Sequence, residues 1–335
     1  MSRYVIVGAG AVGATLAAAL HESGQNHALV ARGAHLDRLQ TDGLTLVQHG
    51  EPRSVAVNAV AADEVELTAA DIVVFATKTQ DLDTATRDWA WRPAGDRHAA
   101  EVIPVVTLQN GLDADRIALR RFSRVVGGTI LTPAQYLEPG VVRSGAADSY
   151  GVLTIGDVPS GAGDRVHAIA DDLRRARYIV EVSEDITRWK AAKLLHSVRN
   201  ALDVLDGPAH ERDALAAALV DEAERTLQAA GIAAAAQEER TEDLSSFRHD
   251  PAAGIAPGRQ STWQSFARGT SSEVDYLNGE IVLLGRLHGT PTPVNAAVQQ
   301  ILGDAEQRLQ GPGARGTGEV LRLADTPFLD QVGVR

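Results

Sequence analysis

Apolar residues come in short blocks through the first half of the chain, at 4–7 (YVIV), 27–31 (HALVA), 72–76 (IVVFA), 102–108 (VIPVVTL) and 123–130, with helix-like stretches between several of them. Blocks that are apolar throughout, rather than alternating, are those of strands covered on both faces, and with helical patterns between them they predict a parallel sheet in an α/β domain. A second group, roughly 140–157 and 177–183 around an amphipathic 163–176, extends that sheet or adds a small antiparallel part. After Asp185 the period changes. Residues 185–206, 208–231 and 272–288 carry apolar side chains at i, i+3, i+4 and i+7, so the second half is read as helical. Between these helices, 237–260 is polar and interrupted by Pro and Gly, and predicts a long loop able to move over a cleft.

One stretch adds chemistry to this pattern. Gly8, Gly10 and Gly13, with Ala11 and Val12 between them, form GxGxxG directly after the first apolar block and at the start of an apolar helix. In that context the first glycine permits a tight turn, the second lets backbone approach a pyrophosphate, and the third lets helix pack on strand. The alternative is that the glycines only make a tight turn. The reading is a Rossmann-like dinucleotide-binding domain over 1–183, followed by an all-helical domain over 184–335.

At the end of the second block, where an NAD site keeps an acid for the ribose 2′-hydroxyl, the chain has Ala31-Arg32-Gly33. A carboxylate there would repel a 2′-phosphate, whereas Arg32 can donate a bidentate pair to it, so the expected cofactor is NADP. An exposed arginine at a loop start is the plain alternative. His35 is either near the adenine and phosphate or a helix-surface histidine. Lys78, after IVVFA, and Asn110, after VVTL, follow strands at the sheet edge where open α/β sheets bind ligands. Each could equally be an ordinary loop residue.

Composition narrows the classes. The 335 residues, 44% hydrophobic, suffice for two cores, and the net charge of −12 with no basic run argues against a nucleic-acid partner. There is no cysteine, which removes disulfides, thiolate metal sites and cysteine nucleophiles. The histidines lack metal-ligand spacing and no GxSxG elbow occurs, so no metal site and no hydrolase is expected. The start of the chain and the absence of a long apolar run predict a cytoplasmic protein with no membrane partner.

In 185–206, Lys193, Ser197 and Asn200 stand at i, i+4 and i+7 and share one helix face. An ammonium, a hydroxyl and an amide together could polarise a carbonyl and anchor a small acid, although a helix lysine is more often simply solvated.

GAGAVG, Arg32, ATKTQD, LQNG, WKAAKLLHSVRNAL and STWQSFARGTSSEVDYLNGEI, in this order, resemble the ketopantoate reductase family, NADP-dependent enzymes of pantothenate biosynthesis that reduce 2-dehydropantoate to pantoate. The likeness covers nearly the whole chain. It implies an N-terminal Rossmann domain, a helical C-terminal domain of the 6-phosphogluconate dehydrogenase-like type, a small 2-oxo acid substrate, an active site between the domains and, by analogy, a homodimer. It implies Lys193 as the catalytic lysine, with Lys190 the lesser candidate, and Glu273 as its acidic partner. Ser261, Asn110 and Asn200 fall on substrate-binding positions, with Lys78 and Asn110 near the nicotinamide. Ser197 stands where the family usually has asparagine, which puts the identity of the substrate in doubt, because a hydroxyl replaces an amide's donors and acceptor. An enzyme of the same architecture acting on another oxo acid or imine is the alternative, and a non-catalytic NADP-binding sensor a more distant one.

Overall fold

The computed structural model describes residues 2–325. The chain divides into two compact units: the first holds the residues up to Gln109 together with Asp113–Trp189 and Ala236–Ile255, and the second holds Asn110–Leu112, Lys190–Ala235 and the residues from Ala256 on.

The first unit is built on an eight-stranded sheet with the order Tyr178–Val182, Gly151–Asp157, Val125–Leu131, Val105–Thr107, Asp71–Phe75, Arg3–Val7, His27–Val30, Ala59–Val60. Its first six strands in the chain are parallel and follow the doubly wound dinucleotide-binding order; the switch point lies between Arg3–Val7 and Asp71–Phe75. Beyond Val125–Leu131 the direction reverses, since Gly151–Asp157 pairs with it antiparallel and Tyr178–Val182 then pairs parallel to Gly151–Asp157. Of the two options that the second apolar group left open, both are met in part: Gly151–Asp157 and Tyr178–Val182 extend the main sheet, while Val141–Ser144 pairs antiparallel with Ala134–Glu138 in a separate small sheet. The fully apolar blocks became central strands for the expected reason: Val5, Ile6, Val73, Phe75 and Val105 are buried, because helices cover both faces. That second sheet has four strands, Ala134–Glu138, Val141–Ser144, Leu44–Gln48 and Glu51–Val55, of which the sequence reading had marked only the segment from 140. Its strands are short and partly exposed, so they carry little periodic signal.

The second unit is helical. Ile186–Ser197 begins in the first unit and continues into the second, turns into a 3-10 segment at Val198–Asp203, and is followed by Ala209–Ala229, Ser261–Ala267, Val274–His288, Pro293–Gln307 and Thr317–Ala324. Leu194, Val198, Leu219, Leu277, Ile281, Val298 and Leu302 form its core.

The polar stretch is a long loop with two short 3-10 turns, and along 236–255 it belongs to the first unit and is hydrogen-bonded to it. The buried Glu181 carboxylate accepts from the Thr241 and Glu242 amides at 3.1 and 2.9 Å and from the Thr241 hydroxyl at 2.7 Å. Arg188 forks onto Glu239 with two 2.7 Å bonds, and the Asp250 amide donates to the Gly145 carbonyl at 2.7 Å. The sequence pattern registers Pro, Gly and polarity but not the side-chain acceptors that hold such a segment.

Candidate functional site

The glycine turn follows Arg3–Val7 and opens the helix Ala11–Glu22. Gly8 has φ +109, a conformation that L side chains rarely adopt, and a β-carbon on it would lie 2.7 Å from the Thr77 amide nitrogen. A β-carbon on Gly13 would overlap the Gly8 carbonyl oxygen, so this glycine lets helix and turn touch. Gly10 differs: a β-carbon there would meet nothing within 4 Å. Its absence serves no internal packing and leaves open space in front of the helix N-terminus, where Ala11, Val12 and Gly13 present amides without intrahelical acceptors. That is the shape and polarity that a pyrophosphate fits.

Arg32 stands at the N-cap of helix Gly33–Asp42, exposed, its carbonyl accepting from the Leu36 amide and its guanidinium without a hydrogen-bond or ion-pair partner among the described residues. His35 is buried in the same helix, so the surface reading for it fails. At the carboxyl edge of the sheet, Lys78 is half-buried and caps helix Thr79–Ala90. Beside it the sequence reading passed over Gln109. Its amide nitrogen donates to the Phe75 and Thr77 carbonyls at 2.9 Å each, while its Oε1 and the Thr77 hydroxyl are buried without partners. Buried polar atoms of this kind call for an occupant. The position of Gln109 one residue before Asn110 was the available signal, but sequence does not say which neighbour turns inward. Asn110 is half-buried and is grouped with the second unit, whose core includes Leu112.

In the second unit, Lys193 is half-buried and burial holds its ammonium pKa below the ordinary lysine value. It has no hydrogen-bond or ion-pair partner among the described residues, so the expected pairing with Glu273 is not formed. Lys190 is only 2% exposed, the deeper of the two lysines. Ser197 is buried and its hydroxyl has no partner. Asn200 is buried in the 3-10 segment, where residues three apart eclipse, so Ser197 and Asn200 stay on one face although the α-helix has ended. Glu273 is buried at the N-cap of helix Val274–His288. The Ser272 hydroxyl accepts from the Val274 amide at 3.2 Å. Ser261 opens helix Ser261–Ala267 one position after the cap, and Asp203, its carboxyl pKa raised by burial, accepts the Gln260 amide just before it.

A polar network under this surface was not foreseen. Glu222, buried, accepts from the Val294 and Asn295 amides at 2.8 and 2.9 Å and from the Asn295 side chain at 2.8 Å. Asn278 links Asn295 to the Val198 carbonyl with two 3.0 Å bonds, which fixes the 3-10 segment carrying Asn200. Among the described residues no group of His, Asp and Glu could hold a metal, and no helix is long and apolar enough to cross a membrane.

Comparison with known proteins agrees over both units. The family model described as ketopantoate reductase PanE/ApbA matches residues 4–160, and its C-terminal counterpart matches 191–306. A 2-dehydropantoate 2-reductase from Mesorhizobium japonicum is 30% identical over 88% of this chain and 95% of its own length. One from Pyrococcus horikoshii is 26% identical over 88% and 94%. Among solved structures, a PanE/ApbA family ketopantoate reductase from Ralstonia eutropha is 25% identical, with a TM-score of 0.72 over 92% of this chain and 99% of that one. D-mandelate dehydrogenase, solved with NADH and anilino(oxo)acetate, shares the fold at a TM-score of 0.76 and 19% identity over 92% and 99%. With both halves matched and the glycine turn intact, this chain belongs to the ketopantoate reductase family.

Proposed function

We propose that the chain reduces 2-dehydropantoate to pantoate with NADPH. The observation that carries this reading is that relatives named 2-dehydropantoate 2-reductase match it over 88% of its length, through both units. The bound nicotinamide would supply the hydride. The chain's own contribution begins with the turn Gly8, Gly10, Ala11, Val12 and Gly13, whose open face and free amides suit the pyrophosphate. Arg32, unpaired at the end of the second strand, favours a 2′-phosphate over a bare ribose. Lys78 and Asn110 at the strand ends suit the nicotinamide side of the cofactor.

Lys193 donates the proton to the alkoxide that forms at C2. Its lowered pKa supports that role, since a partly desolvated ammonium gives up its proton more readily near neutral pH, and an unpaired one is free to follow the oxyanion. Glu273 accepts from a substrate hydroxyl, and Asn200 and Ser261 hold the substrate's carboxylate or hydroxyl. Ser197 favours a second reading, another 2-oxo acid: its buried, unpartnered hydroxyl is shorter than the asparagine expected there and leaves room for a different substituent.

The test is to mix the purified protein with NADPH and a panel of 2-oxo acids including 2-dehydropantoate and follow cofactor absorbance. Highest kcat/KM on 2-dehydropantoate supports the first reading, preference for another 2-oxo acid supports the second, and tight NADPH binding without turnover of any panel member rejects both.

A further inference from the structure

His35 is buried in the helix that Arg32 opens, and both of its ring nitrogens are used. Nε2 lies 2.8 Å from the Ala9 carbonyl oxygen, inside the glycine turn, and Nδ1 lies 2.9 Å from the Gly140 amide nitrogen. A carbonyl can only accept and an amide can only donate, so one neutral tautomer satisfies both: Nε2 carries the proton and Nδ1 receives one. Burial pushes the ring's pKa below the ordinary histidine value, which agrees with a neutral ring. The ring also rests against Tyr136 at a centroid distance of 4.7 Å. The Gly140 turn comes so close to the helix that a β-carbon there would sit 3.1 Å from the Arg38 β-carbon.

The Ala9 carbonyl belongs to the same planar peptide as the Gly10 amide, and in a trans peptide the two point in opposite directions. By holding the carbonyl, the ring aims the amide of the one cradle glycine that faces open space. The same ring is rigidly part of the helix whose first residue follows Arg32. We infer that His35 is a positioning residue of the dinucleotide site, which sets the Gly10 amide and holds Arg32 in register with it through the donor–acceptor pair of its ring. The coupling to Arg32 rests on the NADP reading above; the action on Gly10 requires only a dinucleotide.

The test is binding of NADPH and NADH, followed by nicotinamide fluorescence at a temperature where each variant is folded, with the thermal midpoint of each recorded. His35→Leu removes both bonds. His35→Gln keeps one donor and one acceptor, and His35→Asn is too short to span both partners and serves should the leucine variant fail to fold. The expected result is a loss of roughly tenfold or more in NADPH affinity for the leucine or asparagine variant, a smaller loss for NADH, and glutamine within about threefold of the parent. A folded leucine or asparagine variant that binds both cofactors within about threefold of the parent overturns the inference. Equal losses on both overturn the coupling to Arg32. A parent protein that binds NADH as tightly as NADPH refutes the 2′-phosphate reading instead, and the role of His35 is then decided by NADH affinity alone, lost in leucine and kept in glutamine.

Discussion

The glycine cradle of the first unit and the lysine helix of the second reach order by opposite means. The cradle is made of backbone: its shape follows from missing side chains, with Gly8 at φ +109 and Gly13 bringing the helix onto the Gly8 carbonyl, and its polarity comes from amides that any sequence would have. The lysine helix is made of side chains, and its 3-10 end is fixed from beneath by the chain Glu222, Asn295, Asn278 to the Val198 carbonyl. A backbone site is robust to most substitutions and intolerant of a few atoms in one place. A side-chain site depends on residues far away in sequence that never touch a ligand.

The largest effect expected is on chemistry in the second unit. Lys193→Ala should lower kcat by about 10²- to 10⁴-fold with NADPH affinity nearly unchanged, measured by single-turnover absorbance beside binding fluorescence. Because the protonated amine is the acid, kcat of the parent should fall as pH rises through the lysine's pKa, and burial places that limb below the ordinary lysine range. An unchanged turnover in the alanine variant would move the role to Lys190. Next comes the buried network. Glu222→Gln turns an amide group toward backbone donors that now have a carboxylate, and should cost about 2–4 kcal/mol in urea unfolding. A cost below about 1 kcal/mol would mean that the network adjusts freely and the contrast with the cradle is weaker than drawn here.

In the cradle the pattern inverts. Gly10→Ala places its methyl in open space, so the thermal midpoint should not move, yet dinucleotide affinity should drop roughly tenfold or more because the methyl occupies the approach of the pyrophosphate. Unchanged affinity at unchanged stability would remove Gly10 from the site. The smallest effect is the most selective: Arg32→Ala should weaken NADPH by roughly 10-fold and NADH by less than about threefold, read from the two dissociation constants.

The same contrast explains what the sequence made legible. Strand blocks, the glycine spacing and the arginine after Ala31 are local signals, each carried within a few residues, and the parallel sheet of an α/β domain followed from the first two. Lys193, Ser197 and Asn200 were placed on one face by spacing alone, and the change to a 3-10 turn preserved that face by chance of its period. What escaped was non-local. Glu222 and Asn295 are 73 positions apart, His35 and Gly140 are 105 apart, and neither partner advertises the other. Glu273 was expected beside Lys193 on resemblance, and the structure leaves that amine without the carboxylate.

The strap at 236–255 bears on how this protein could be cut. The backbone passes from one unit to the other five times, at 109/110, 112/113, 189/190, 235/236 and 255/256, so neither unit is a continuous piece of gene. A fragment ending near 183 would keep the outermost strand but strip Glu181 of the two amides and the hydroxyl that satisfy its carboxylate, leaving a charge stranded on a freshly bared sheet edge. An expression design that wants the nucleotide-binding half alone must carry the later twenty residues along, spliced back by a short linker, rather than stop where the helices begin.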